Sequence, residues 1–334
     1  MNLDYSFMNP FLLFFLGMIS LYFSSEIIIN QSVLISNKFN VSKLLVGVFI
    51  MAFGTSLPEL FVSIIAILKD SDGIVIGNIV GSNIANIGLV FGVALLMKPM
   101  VIKHLDNAYR LNLFSLSASS VLFVIFLYDN VLSRSDGIIL SLSCLIYLFL
   151  FINYFSIDNQ SFNENESSDY SVLKLFFGFI LIYFGSDFFV NGALGISKSL
   201  GIQDVAVGMT IVSIGTSAPE LFTTMLALRN NENNLALGNI IGSNIFNLGF
   251  ILGGTAMIRP ISTSQKMFNR DGLFLLIVTA LIFFLFFGIN GWSPDDSFTK
   301  YEGLLLFSLL IGYVTFLFIQ KDPPEDVNPE KATA

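Results

Sequence analysis

Cysteine, histidine and tryptophan each occur once in this 334-residue chain, and charged side chains make up only 12% of it. The lone Cys144 excludes an internal disulfide. One histidine and one cysteine cannot furnish a zinc or copper site, and His104, beside Lys103 in a polar connection, reads as a surface residue. A soluble domain carries about a quarter charged residues, so a chain this poor in charge has no room for a separate body in water. The charges it has are mostly acidic, 24 Asp and Glu against 16 Lys and Arg. Without basic clusters, nucleic acid is excluded as a partner. A basic leader is also lacking: the first apolar run follows Asp4 and is interrupted by Glu26, so it is expected to be a retained span rather than a cleaved signal peptide.

What is present is apolar sequence: 54% hydrophobic residues and a mean hydropathy of +0.78. A helix crossing a bilayer needs roughly 20 such residues. Ten runs qualify, at about 10–30, 42–68, 73–97, 111–129, 136–155, 173–195, 203–228, 234–258, 272–290 and 301–319. The expected fold is an all-α membrane protein embedded in the lipid bilayer. The longest polar connection, 156–172, is rich in Asp, Glu, Asn and Ser and lacks EF-hand spacing. It reads as an acidic linker between an N-terminal half (1–155) and a C-terminal half (173–320), with a polar tail at 321–334. Trp292 reads as an interfacial anchor.

The two halves repeat one another. GTSLPELFVSIIA at 54–66 returns as GTSAPELFTTMLA at 215–227, and GNIVGSNIANIGLVFG at 77–92 returns as GNIIGSNIFNLGFILG at 238–253, both displaced by 161 residues. Ser25-Glu26 and Asn30 match Ser186-Asp187 and Asn191 at the same displacement. Each half holds five runs, an odd number, so equivalent runs would cross in opposite directions. The expectation is ten transmembrane helices as two inverted five-helix repeats, a plan that places a binding site near the midplane where the repeats meet. Basic residues divide evenly between alternate connections, so the positive-inside rule marks neither side.

Pro58 and Pro219 lack a backbone donor and crowd the carbonyl four residues back, at Gly54 and Gly215. Those carbonyls should face protein, water or an ion rather than lipid. Glu59 and Glu220 follow at once, with Thr55, Ser56, Thr216 and Ser217 one turn earlier on the same face. Such oxygen-only sets suit hard cations, and a mid-membrane carboxylate is by default functional. Asn78, Ser82 and Asn86, mirrored by Asn239, Ser243 and Asn247, form a polar stripe that either ligates a cation or positions the glutamates. The glycines of these motifs read as packing devices, and Asn83 and Asn244, off the stripe, as hydrogen-bonding groups between helices. Glu26 and Asp187, towards the ends of their runs, fit either an ion entrance or plain interfacial carboxylates.

At these paired motifs the chain resembles the cation/calcium antiporter superfamily, in particular its prokaryotic sodium/calcium exchanger branch. The resemblance implies a secondary antiporter that exchanges sodium for calcium by alternating access, with Glu59 and Glu220 shared by the two ions and no cofactor. It places hydroxyl ligands at Thr55, Ser56, Thr216, Ser217, Ser82 and Ser243, backbone oxygens at Ala52 and Ser213, and Asn86 and Asn247 in the remaining central positions. Asparagine at 247, where potassium-dependent relatives carry aspartate, implies potassium-independent exchange. Proton-coupled calcium exchangers, the alternative, typically carry GN where this chain has GT. A passive cation channel, built from rings of residues, fits a single pseudo-twofold chain less well, and intact motifs in both halves weigh against a transport-dead sensor. Similar proteins also imply a prokaryotic plasma membrane, a cytoplasmic linker and a chain that works as a monomer.

Overall fold

In a bilayer the backbone must satisfy its own hydrogen bonds, so the apolar runs become helices. The computed structural model describes residues 9–39, 41–68, 70–101, 107–155, 171–199, 213–289 and 297–319. In chain order the helices are α1 (Pro10–Phe39), α2 (Lys43–Thr55), α3 (Leu57–Leu68), α4 (Asp72–Met97), α5 (Asn107–Phe126), α6 (Arg134–Phe155), α7 (Val172–Ser199), α8 (Ala218–Arg229), α9 (Asn233–Ile258), α10 (Gln265–Phe287) and α11 (Lys300–Ile319). Among the described residues eight helices are long and apolar enough to cross a membrane, and α2 with α3 forms a ninth crossing bent by 43°. Of the expected run at about 203–228, only the part from residue 213 is described, as a helical turn at 213–216 followed by α8. Nearly all of the acidic linker, His104, Trp292 and the C-terminal tail lie outside the described residues.

Two features depart from the expected pattern. The first helix does not stop near residue 30 but continues to Phe39, which puts Glu26 in mid-helix rather than near an end. Asp187 likewise lies in the middle of α7. The described residues also include four two-residue strands: β1 (Met100–Val101) pairs antiparallel with β4 (Ser297–Phe298), and β2 (Val131–Leu132) with β3 (Ile261–Ser262). Each pair joins a connection of one half to a connection of the other.

The centre belongs to the helices that carry the second repeated motif. In α9, 94% of the apolar window is buried, against 17% in α11, which lies at the rim. Helices α1 and α7 run antiparallel along one flank, with Gly17 against Phe189, Gly185 against Ser20 and Gly195 against Pro10. Phe14 stacks on Phe189 with ring centroids 4.8 Å apart. Glycines also bring α2 and α9 into backbone contact, since Gly238 lies against the backbone of Leu44, Gly47 and Val48. Both α4 and α9 widen into π-type turns, at Asn86–Phe91 and Phe246–Leu252. Such turns often mark functional positions, and here Asn86 and Asn247 fall within them.

Candidate cation-binding site

The two prolines shape the site. The chain leaves helical geometry at Ser56 (φ −83°, ψ 6°) and at Ser217 (φ −81°, ψ 3°), then resumes as α3 and α8. Glu59 and Glu220 therefore fall in the first turn of a half-helix, where the macrodipole favours negative charge. Each break needs a glycine because α7 lies directly on it: a Cβ at Gly54 would meet the Phe179 ring at 1.9 Å, and one at Gly215 would meet Val190 at 2.4 Å. Both glutamates are fully buried, as are Thr55, Ser56, Thr216, Ser217, Ser82, Ser243, Asn86 and Asn247.

Hydrogen bonds cross between the halves. Thr55 Oγ1 donates to Asn239 Oδ1 at 3.2 Å, and its equivalent Thr216 donates to Asn78 Oδ1 at 3.3 Å. Asn78 Nδ2 in turn donates to the Glu59 carbonyl (3.1 Å) and Ser63 (3.0 Å). Asn239 Nδ2 does the same for the Glu220 carbonyl (3.4 Å), Thr223 (3.0 Å) and Thr224 (3.1 Å). Each glutamate is thus braced by an asparagine of its own half, which is itself held by a threonine of the other. Of the two readings open for Asn78 and Asn239, positioning is the one their bonds support.

The carboxylates are not treated alike. Glu220 Oε1 accepts from Ser56 at 3.1 Å and from Ser243 at 3.3 Å, while Oε2 has no donor. Neither oxygen of Glu59 has one. Ser82 and Thr216, whose hydroxyls face Glu59, bond each other at 3.2 Å instead. The two acids lie close enough to repel one another. Among the described residues neither has a salt-bridge partner. Two buried carboxylates without a basic partner are costly, and a cation supplied from outside the protein would neutralise them. No three His, Cys, Asp or Glu side chains gather among the described residues. Ligation would therefore rest on two carboxylates with hydroxyl, amide and carbonyl oxygens, a donor set for hard ions.

One turn along α4 and α9, Asn247 donates to Asn83 Oδ1 (3.0 Å) and Asn83 to the Asn244 carbonyl (3.4 Å). Both amide atoms of Asn86, Oδ1 of Asn247 and Oγ of Ser217 are buried without a partner. The carbonyls of Ala52 and Ser213 accept helical N–H groups from Ser56 and Ser217 and the hydroxyls of Thr55 and Thr216.

The freed carbonyl of Gly215 faces protein, one of the three surroundings open to it: it accepts from Ser186 on α7 at 3.3 Å. Glu26 is exposed on α1, and Asp187 is half-buried and accepts from Asn191 at 3.0 Å. The hydroxyls of Ser63, Thr223, Thr224 and Ser186 escaped the sequence reading. Ser63 and Thr224 occupy matching positions four residues after their glutamates, and that repeat was the available signal.

Replacing Asn239 by Leu would take the donor from the Thr224 hydroxyl and the cross-half acceptor from Thr55, while Thr223 keeps its bonds to the Pro219 and Glu220 carbonyls. A buried unsatisfied polar group costs about 1–3 kcal/mol, so Asn239→Leu should melt well below the wild type in detergent. Asn78→Leu, which likewise takes the donor from one hydroxyl, that of Ser63, should lose a similar amount; wild-type melting of both variants would refute the bracing role.

A family model described as sodium/calcium exchanger protein matches residues 9–153 and 170–319. An uncharacterized membrane protein of Methanocaldococcus jannaschii is 34% identical over 303 residues, covering 89% of this chain and 94% of that one. The sodium/calcium exchanger MaX1 of Methanosarcina acetivorans is 32% identical over 353 residues, covering 92% and 98%. Among solved structures, the sodium-calcium exchanger NCX_Mj soaked with sodium and calcium superimposes with a TM-score of 0.77 at 32% identity, covering 91% of this chain and 96% of that one.

Proposed function

The chain belongs to the sodium/calcium exchanger family, in the prokaryotic branch of the cation/calcium antiporters, and from that premise we propose that it exchanges sodium for calcium by alternating access. The observation that carries the reading is the pair of fully buried glutamates, one from each copy of the repeat, with three carboxylate oxygens that meet no protein donor. A divalent ion between Glu59 and Glu220 balances their charge, and so do two sodium ions. Each ion therefore competes with the other for one neutralising role, which is the physical basis of exchange. Thr55, Ser56, Ser82, Thr216, Ser217 and Ser243 supply neutral oxygens around the pair, with Asn86 and Asn247 beside it.

The halves act as inverted five-helix repeats, so the same contacts serve access from either face. Helices α1 and α7, packed on each other and across both helix breaks, are the elements that would slide. Asparagine at 247 keeps the central carboxylates at two, which favours exchange without potassium. The linker is placed in the cytoplasm, and a prokaryotic plasma membrane is the setting. No covalent step is involved.

In proteoliposomes loaded with sodium and diluted into sodium-free medium, calcium uptake should follow the sodium gradient and need no potassium. Uptake driven by a pH gradient alone would move the protein to the proton-coupled branch. Calcium flux that needs no counter-ion would make it a channel.

A further inference from the structure

The helices that begin with the glutamates end at the membrane faces, and both ends are held by a cation from the other half. Arg259, just after α9, reaches the end of α3: Nη2 donates to the Ile67 carbonyl at 3.4 Å and to Asp72 Oδ1 at 2.5 Å, and Nε lies 3.3 Å from Asp70. Lys98, just after α4, reaches the end of α8: Nζ donates to the Leu228 carbonyl at 2.8 Å and to Asn231 Oδ1 at 2.6 Å. These residues correspond at the same displacement of 161: Lys98 with Arg259, Leu228 with Ile67, Asn231 with Asp70. Both helices finish on a left-handed residue, Asp70 at φ 56° and Asn231 at φ 63°. That turn already gives each carbonyl a backbone donor, Asp70 N–H to Ile67 and Asn231 N–H to Leu228; the side-chain cation adds a second and complements the macrodipole.

We propose that Arg259 and Lys98 are positioning residues for cation binding: each fixes the far end of the half-helix whose near end carries Glu59 or Glu220. The two clamps differ in strength. Arg259 offsets two carboxylates, Asp70 and Asp72, and Asp72 also accepts from the Ser262 N–H at 2.8 Å. Among the described residues Lys98 meets only neutral acceptors. Losing Arg259 leaves two acids side by side without their cation, Asp70 just past the C-terminus of α3, where the dipole disfavours it, and Asp72 in the first turn of α4. Losing Lys98 strands no charge. The α3 clamp is therefore the one whose loss displaces its glutamate further.

The functional half of this inference rests on the exchanger reading; the structural half does not. The test compares Arg259→Gln, Arg259→Lys and Lys98→Gln in the full chain by amide hydrogen exchange in detergent and by radiolabelled calcium uptake into sodium-loaded vesicles. Arg259→Gln should speed exchange at residues 64–68 at least tenfold and raise the calcium concentration for half-maximal uptake about three- to tenfold. Arg259→Lys should recover most of both. Lys98→Gln should act at residues 225–229 and shift half-saturation less than threefold. Unchanged protection and half-saturation, with only the yield of folded protein falling, would overturn the proposal. A wild type that moves no calcium would sink the exchanger reading instead, and the hydrogen-exchange arm would still decide the clamp.

Discussion

Glu59→Gln and Glu220→Gln should each lower sodium-driven calcium uptake at least a hundredfold, with the folded protein still monodisperse in detergent. Glutamine keeps the shape of the side chain and removes one of only two negative charges in the cluster. A divalent ion would then sit in a buried site with one charge uncompensated. Breaking a buried charge pair by removing one partner costs about 3–5 kcal/mol, which corresponds to a hundredfold or more in affinity. The single variants also separate the two acids. Glu220 is held by Ser56 and Ser243, whereas Glu59 has no donor. Gln at 220 can therefore keep part of its bonding, and Gln at 59 should be the less disturbed in fold. Uptake by either variant within tenfold of wild type would remove the pair from the centre of the mechanism.

Gly238→Val should damage the fold and transport together. A Cβ there would lie 2.7 Å from the Leu44 carbonyl, 2.9 Å from the Val48 nitrogen and 3.0 Å from the Gly47 Cα. All three are backbone atoms of α2, so no side chain can rotate aside and the helices must part. Overpacking of a tight core costs typically 1–3 kcal/mol and occasionally more; with backbone on both sides, a loss of about 3 kcal/mol or more is expected. The adjacent Asn239, which braces Glu220, would move with it, so transport should fall together with stability. Gly312→Val is the control, since nothing lies within 4 Å of a Cβ at that position. Equal melting of the two variants in detergent would show that the α2–α9 approach is dispensable.

Much of this arrangement was legible in the residues because it is written twice. The proline–glutamate pair recurs with its Thr-Ser prefix, and a proline inside an apolar run states where the helix must break. The break and the burial of both acids followed from that. The role of Asn78 and Asn239 stayed open, because an amide can ligate or brace and only the packing of α3 on α4, and of α8 on α9, decides between them. The partner of the Gly215 carbonyl stayed open for a related reason: Pro219 predicts a freed oxygen but says nothing of which donor reaches it, and Ser186 comes from a distant helix. The extent of α1 was also hidden. Its sequence beyond residue 30 is polar enough to pass for a connection, yet Gln31, Ser32 and Ser36 are buried. The inequality between Glu59 and Glu220 is the least visible feature, since matched sequences predict matched bonds.

The crossed threonine–asparagine bonds have a consequence for biogenesis. When the N-terminal half leaves the ribosome, Thr55 and Asn78 lack their partners from the other half, because Asn239 and Thr216 lie 184 and 138 residues further along the chain. At ordinary elongation rates that wait is on the order of 10–30 s. Throughout it a bare carboxylate at residue 59 must be kept hydrated or sheltered by the insertion machinery, so the first five helices cannot reach their final packing until the later ones arrive. Synthesis of the two halves as separate polypeptides should therefore yield little stable product from either alone, and a working assembly only when both share one membrane.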